Sequence, residues 1–191
     1  LAACSEPPAE PEAITVQQAM GGSADEGFAR AFEPREFRFP ADHGAHPAFK
    51  HEWWYFTGNL AGGDGRRFGY QLTFFRIALA PDGPPRESAW ATRQLWMAHV
   101  ALSDIEAGEH LARERFSRQA VGLAGAQTRP LAVWVEDWRI TRQANRWRIQ
   151  VDADGFGLEL DLEELRAPLL QGDAGLSRKS AEPGNASYYY S

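Results

Sequence analysis

One carboxylic acid stands at the head of an aromatic run and is the residue best placed to do chemistry. Glu52 follows His51 and precedes the run Trp53-Trp54-Tyr55-Phe56. Among aromatic rings a carboxyl group loses its water, which favours the protonated form. A protonated acid can deliver a proton to an alkene, and nearby ring faces can stabilise the resulting cation. We therefore predict Glu52 as a catalytic acid; the commoner alternative is an ion pair with Arg76 or another arginine.

A second titratable group lies on a later apolar segment. His99 stands between Ala98 and Val100, and its ring could exchange protons with Glu52 near neutral pH. We predict His99 as the acid/base partner of Glu52. A histidine whose hydrogen bonds are satisfied inside the core is the more frequent alternative.

The loop before the aromatic run carries Asp42, His43 and His46, which are residue types that bind zinc. Their spacing matches no standard zinc pattern, so we expect a solvated loop and no metal site. The glycine-rich segment 62–65 is predicted as a hairpin turn rather than a phosphate loop, because no Lys-Ser/Thr pair follows it. No cofactor is predicted.

These candidate groups must be positioned by strands. Short segments of alternating apolar residues, separated by turn residues, indicate hairpins. We predict strands near residues 51–60, 67–77, 94–102, 133–140, 147–151 and 156–162, and one short helix over 109–120. The fold class is all-β: an antiparallel β-barrel or a strongly curved sheet.

The register of the first hairpin decides which side chains share a face. If Asp64-Gly65 is a two-residue turn, the residue numbers of opposed positions sum to 129. Alternation of side chains then places one set of polar and aromatic residues together as the wall of a ligand cavity. The set consists of Glu52, Trp54, Phe56, Gln71, Thr73 and Phe75, with His99 facing it. A loop of odd length would shift the register by one residue and reshuffle this assignment.

Several ordered motifs give the chain a family resemblance. It resembles the family of hydroxyneurosporene synthase (carotenoid 1,2-hydratase) and AttH-like proteins over roughly residues 36–191. The motifs that carry this resemblance are Asp42-His43, His51 to Leu60, Phe68 to Arg76, Trp96-Met97-Ala98-His99 and Gly184 to Ser191.

The resemblance implies a lipocalin-like fold and, for some members, the addition of water to an isoprenoid double bond. Residues 36–191 would form the N-terminal lipocalin-like domain. A second lipocalin-like half, missing after residue 191, would pack on it. The Trp-Met-Asp-x-x-Trp-Gly motif of that second half does not occur in this sequence, so its chemistry cannot be carried over.

The first residues suggest attachment to a membrane. Leu1-Ala2-Ala3-Cys4 resembles a bacterial lipobox, in which Cys4 would be lipidated. Residues 1–35 would then be a lipobox remnant and flexible tether, because prolines and glutamates crowd their first half. Ser5 after the cysteine favours, by resemblance, the outer membrane, with the protein facing the periplasm of the cell envelope.

Composition narrows the class of function. A net charge of −6 argues against nucleic-acid binding, and no apolar run reaches the length of a membrane helix. We keep three functional interpretations. The first is a cell-envelope lipocalin-like protein that binds an apolar isoprenoid-like or lipid molecule, either with or without hydration of that molecule by a buried acid. The second is a non-catalytic carrier or accessory subunit of a transporter. The third is a β-sandwich that binds carbohydrate on exposed tryptophans.

Overall fold

The computed structural model describes residues 26–81 and 88–191. In that part of the chain, eleven strands follow a single 3-10 turn at Ala41–His43. The strands are β1 His51–Ala61, β2 Arg67–Ala78, β3 Gln94–Asp104, β4 Glu109–Arg118, β5 Ala124–Thr128, β6 Leu131–Val135, β7 Trp138–Gln143, β8 Arg146–Ala153, β9 Phe156–Glu163, β10 Leu176–Arg178 and β11 Ala186–Tyr188.

The strands form antiparallel meanders. One sheet has the order β1-β2-β3-β4, a second has the order β5-β6-β7-β8-β9, and β10 pairs with β11. The two large sheets pack face to face and are not closed into a barrel by hydrogen bonds between β1 and β9. The predicted all-β class is confirmed, and the architecture is the lipocalin-like one in an open form.

The predicted short helix is wrong. Residues 109–118 form strand β4, which pairs along its length with β3. Exposure alternates along this strand with period two, as in a sheet that has one covered face. Its many charged residues obscured that alternation in the sequence, because they also stand on the solvated face of an amphipathic helix.

The predicted register of the first hairpin is also wrong, by one residue. Glu52 lies opposite Arg76, and Trp54 lies opposite Phe74. The connection contains five residues, 62–66, and is closed by a hydrogen bond of 2.8 Å from the Gly62 N–H to the Arg66 carbonyl. Because this loop has an odd length, the residues of β2 and β3 exchange faces relative to the prediction.

The core lies between the inner faces of the two large sheets. The Trp54 ring stacks on Trp96 with centroids 5.7 Å apart, and β6 contacts β2, β3 and β4 across the sheets. Complete burial of such large side chains stabilises each by about 1.5–3 kcal/mol. The most deeply buried members include Leu72, Phe74, Trp96, Val133, Val135, Trp138, Ile140 and Ile149.

Contacts with the folded domain begin before residue 36, the predicted start of the domain. Ala29 bridges to Phe49, Ala31 is buried, and Arg35 pairs with Asp42. Contacts with the folded domain therefore include the last part of the predicted tether. The lipobox prediction and the rest of the tether, through residue 25, lie outside the described residues.

Candidate functional site

A cavity of about 1090 Å³ opens where the edges of the two large sheets meet residues 28–37 and 184–191. Strand β1 is an edge of the first sheet and β9 is an edge of the second. The wall combines β1, the end of β9, the loop before β1 and the last residues of the chain. Its residues include His43, His46, Glu52, Trp54, Phe56, Trp147, Leu162, Glu164, Tyr189 and Tyr190.

One part of the wall is a chain of alternating charges, which we call the charge network: Arg35, Asp42, His46, Glu52 and Arg76. The Arg35 guanidinium donates to Asp42 Oδ1 at 2.7 Å. The His46 ring lies between two carboxylates, with Nε2 3.0 Å from Asp42 Oδ1 and Nδ1 2.6 Å from Glu52 Oε1. Arg76 Nε donates to Glu52 Oε2 at 3.0 Å and ends the network in the interior.

Arg76 is the most buried member of the charge network, with 1% of the residue exposed. Its Nη2 donates to the carbonyl oxygens of His46 at 2.9 Å and Phe49 at 2.7 Å. One charged side chain therefore fixes both the carboxylate of Glu52 and the backbone of the loop before β1. Breaking such a buried pair is costly because it leaves an uncompensated charge inside the protein.

The ion pair between Glu52 and Arg76, the alternative to a catalytic acid, is observed. Both carboxylate oxygens also accept hydrogen bonds of 3.0 Å from the His46 backbone N–H. The His46 backbone N–H and the Arg76 guanidinium can only donate, so they bind this carboxyl as an acceptor. The His46 ring donates to Glu52 Oε1 when Nδ1 carries a proton, and an unprotonated Nδ1 would accept instead.

The network sets the protonation of its members. The hydrogen bond to Glu52 raises the pKa of His46 above its ordinary value, against the burial that lowers it. Burial raises the pKa of Asp42, but hydrogen bonds from Arg35, the Arg38 backbone and His46 outweigh that effect and hold it below its usual range. The imidazolium form of His46 is therefore favoured between its two carboxylate partners.

A second polar group in the wall, which we call the His43 cluster, consists of His43, Arg142, Trp147, Glu164 and Tyr190. His43 Nδ1 lies 3.0 Å from the Tyr190 hydroxyl. Glu164 accepts two hydrogen bonds from Arg142, at 2.7 and 3.0 Å, and one of 2.6 Å from Trp147 Nε1. His43 Nε2 lies 3.9 Å from Glu164 Oε1, which is too long for a hydrogen bond.

Burial is the largest influence on the pKa of His43 but not on that of Glu164. Burial lowers the pKa of His43, with a further contribution from the positive charge of Arg142, while Glu164 and Asp42 act in the opposite direction. Hydrogen bonds from Arg142 hold the pKa of Glu164 below its usual range, against the effect of burial. Burial also raises the pKa of Tyr190. The cluster therefore contains a neutral imidazole beside a fully bonded carboxylate.

His43 is not the solvated loop residue that we expected, since it is only 5% exposed. Its ring packs against Phe39, Trp147 and Tyr190, with centroids 4.8 to 5.6 Å apart. The Trp54 indole N–H donates to the His43 carbonyl at 2.8 Å, which ties the loop to β1.

The outer face of β1 is covered by the end of the chain. The hydroxyls of Tyr55 and Tyr189 lie 2.7 Å apart, and the Tyr189 ring also contacts Trp53. Burial, followed by the hydrogen bond to Tyr189, raises the pKa of Tyr55 to about 12. The run of four aromatic residues thus has cover on both faces.

The structure separates the predicted site residues into two groups. Glu52, Trp54 and Phe56 line the cavity. The other predicted residues lie on the opposite face of the first sheet and do not line the cavity: Gln71, Thr73, Phe75 and His99. A common cavity for both groups is therefore wrong, and Glu52 and His99 do not face each other.

His99 lies on the outer face of the first sheet. Its ring contacts Phe75 with centroids 5.5 Å apart, and Nε2 lies 3.7 Å from Glu114 Oε2. The catalytic roles of Glu52 and His99 remain predictions, but a direct proton exchange between them does not fit this placement.

Sequence reasoning missed Tyr190, Glu164 and the buried state of His43. The only signal was the motif Gly184 to Ser191, which contains Tyr190 and carries part of the family resemblance. Within residues 26–81 and 88–191, no group of three or more His, Cys, Asp or Glu residues is arranged to hold a metal ion. No helix in the same ranges has the length and hydropathy to cross a membrane.

Comparison with known proteins gives a consistent result. The AttH-like family model matches residues 30–191. The crystal structure of a protein from Nitrosomonas europaea that carries the AttH designation is 36% identical, with a TM-score of 0.73, over 85% of this chain and 48% of that one. This chain thus spans about half the length of that relative. Among curated proteins, none matches this chain significantly.

Proposed function

This chain belongs to the AttH-like family, and on that premise we propose that it binds an apolar isoprenoid-like or lipid molecule in the cavity between β1 and β9. The observation that carries the proposal is the composition of the wall. Rings and aliphatic side chains such as Phe56, Trp147 and Leu162 stand beside a few fixed polar groups. Cavities for apolar small molecules typically combine these features.

A cavity-filling substitution tests this proposal. Leu162 lines the cavity and is half-buried, so Leu162→Trp should fill part of the space without removing a core side chain. Methyl parinarate, a fluorescent polyene ester, should bind the unmodified protein and bind Leu162→Trp at least tenfold more weakly. Leu165→Trp is the matched control, because Leu165 is 86% exposed and lies outside the cavity. Absence of binding to the unmodified protein would overturn the proposal.

Of the two finer interpretations, the carrier is supported better than the hydratase. A carotenoid 1,2-hydratase-like reaction would use Glu52 as the acid, yet its oxygens accept hydrogen bonds from the His46 backbone N–H and from Arg76 Nε. A non-catalytic carrier or accessory subunit of a transporter needs only the cavity. Formation of a tertiary alcohol from an isoprenoid by this protein, and its loss in Glu52→Gln, would reverse that preference.

Carbohydrate binding on exposed tryptophans has less support. Of the seven tryptophans, only Trp90 is an exposed large hydrophobic residue, at 57%. Trp54, Trp96, Trp138 and Trp147 are buried. A lone exposed indole provides no continuous platform for a sugar chain.

We also propose that Cys4 is lipidated and holds the protein at the outer membrane, facing the periplasm of the cell envelope. The support is the sequence Leu1-Ala2-Ala3-Cys4-Ser5. Expression with a lipoprotein signal peptide, followed by detergent phase partitioning, is the test. Cys4→Ala should move the protein to the aqueous phase; retention in the detergent phase would contradict the proposal.

A second lipocalin-like half is proposed to pack on this domain, by analogy with the length of the Nitrosomonas europaea relative. The outer face of the first sheet is the surface best suited to it. Phe116 there is 45% exposed, and Phe75 and Met97 are only partly covered. Amide exchange along β4 should slow when a protein containing both halves is compared with this chain; unchanged exchange would oppose this placement.

A further inference from the structure

The hydrogen bonds around Tyr190 fix the proton on the His43 ring. A tyrosine hydroxyl has one proton to donate, and the Tyr190 hydroxyl donates it to the Asp42 carbonyl oxygen at 2.9 Å. The bond of 3.0 Å between this hydroxyl and His43 must then be donated by Nδ1–H. In the neutral ring, Nε2 consequently carries a lone pair and no proton.

That lone pair has no partner. His43 Nε2 is buried without a hydrogen bond in the described part of the chain. Its polar neighbour, Glu164 Oε1, is 3.9 Å away and is an acceptor already bonded to Arg142 and Trp147. Two acceptors thus face each other with no proton between them, and an unpaired buried acceptor costs about 1–3 kcal/mol.

We propose that the apolar ligand of the cavity carries a hydroxyl group and donates its proton to Nε2 of His43. The ligand class is an isoprenoid or fatty alcohol. This inference rests on the proposed function and names the polar end of the same ligand. His43 and Glu164 both line the cavity beside the rings and aliphatic groups that would hold the chain of the ligand.

Other end groups fit this position less well. A ligand carboxylate would bring a further acceptor and a negative charge against Glu164. A cationic amine would add a charge next to Arg142, whose own charge is already balanced by Glu164. Entry of a hydroxyl requires Glu164 Oε1 to move away from Nε2 by more than about one ångström, because the single proton of the hydroxyl goes to Nε2 and none is left for Glu164. The Glu164 side chain is 24% exposed and can make that movement.

A matched pair of ligands tests the inference. Farnesol and farnesyl methyl ether share the same chain, but only farnesol has a hydroxyl proton. In displacement of methyl parinarate from the unmodified protein, farnesol should bind about tenfold more tightly than the ether. His43→Phe keeps a ring and removes Nε2, so this preference should disappear. His110→Phe is the control, because His110 is exposed on β4 and lies outside the cavity.

The outcomes separate the two proposals. If methyl parinarate does not bind the unmodified protein, the proposed function fails. If it binds, and farnesol and the ether displace it equally well or not at all, only the inference about His43 is overturned. Should His43→Phe not fold, the imidazole ¹⁵N resonances of the unmodified protein decide. Farnesol, but not the ether, should move the Nε2 resonance of His43 towards its hydrogen-bonded position, and an unmoved resonance would overturn the inference.

Discussion

His43 and His46 stand three residues apart in one loop and line the same cavity, yet their environments are opposite. His46 lies between two carboxylates with 31% of its side chain exposed, and its pKa is raised. His43 is buried among rings, and its pKa is lowered. The number and sign of the partners, rather than position in the sequence, decide the protonation of each ring.

The comparison also separates two roles within one wall. Each ring nitrogen of His46 has a carboxylate partner, so the charge network contributes to the loop conformation. Nε2 of His43 has no hydrogen-bond partner among the described residues, so the His43 cluster retains capacity for a ligand. A paired buried network and an unpaired buried acceptor predict different responses to substitution.

The largest effect is expected at the interior end of the charge network. Arg76→Met removes the cation that balances Glu52 and two hydrogen bonds to backbone carbonyls. The free energy of unfolding in urea should fall by about 3–5 kcal/mol. Arg118→Met is the control, because Arg118 is exposed at the end of β4, and it should change stability by less than about 0.5 kcal/mol. A loss below about 1 kcal/mol in Arg76→Met would show that the network adds little to stability.

A smaller loss of stability is expected when the His43 cluster is disrupted. Arg142→Met removes both hydrogen bonds to Glu164, which should lower the free energy of unfolding by about 2 kcal/mol. The pKa of His43 should rise, because the repulsion from Arg142 disappears and Glu164 loses its counter-charge. Arg146→Met is the matched control, since Arg146 is 69% exposed and 3.9 Å from Glu163. An unchanged His43 pKa would contradict the electrostatic account of the cluster.

The smallest effect is the dependence of stability on pH, and the two histidines should act in opposite directions. For His46 the pKa is raised on folding, so its contribution is complete below 6.5 and is lost as pH rises through the folded value. For His43 the pKa is lowered, so its contribution is present above 6.5 and is lost as pH falls towards the folded value.

Urea unfolding at several pH values checks both signs. His46→Gln should remove the loss of stability on the alkaline side, and His43→Gln should remove the loss on the acidic side. His110→Gln, on the exposed surface of β4, should leave the loss of stability on both sides in place. If both histidine variants removed the loss of stability on the same side, acidic or alkaline, one of the two pKa directions would be wrong.

The strands around the site could be predicted from local sequence, because aromatic alternation and glycine turns are short-range signals. The hairpin of β1 and β2 follows from them. Its register depends on the exact length of the loop, and the five residues 62–66 move Gln71 and Thr73 away from the face of Glu52. A local sequence pattern cannot distinguish a two-residue turn within residues 62–66 from a loop that uses all five of them.

The polar geometry of the wall could be predicted only in part. The Glu52–Arg76 pair joins neighbouring strands, and the sequence offered it as an alternative. The environment of His43 depends on Tyr190, which is 147 residues further along the chain, and on Glu164 after β9. Nothing near Asp42-His43 indicates those partners, so a buried neutral histidine was taken for a solvated one.

One measurement tests the central claim that the cavity wall holds these histidines in opposite states. An imidazole ¹H–¹⁵N correlation spectrum, recorded as a function of pH, reports the tautomer and the pKa of each ring. The account predicts that His43 is the neutral Nδ1–H tautomer at pH 7 and titrates below 6.5, while His46 titrates above 6.5. A neutral His43 with its proton on Nε2, or the reverse order of the two pKa values, would contradict it.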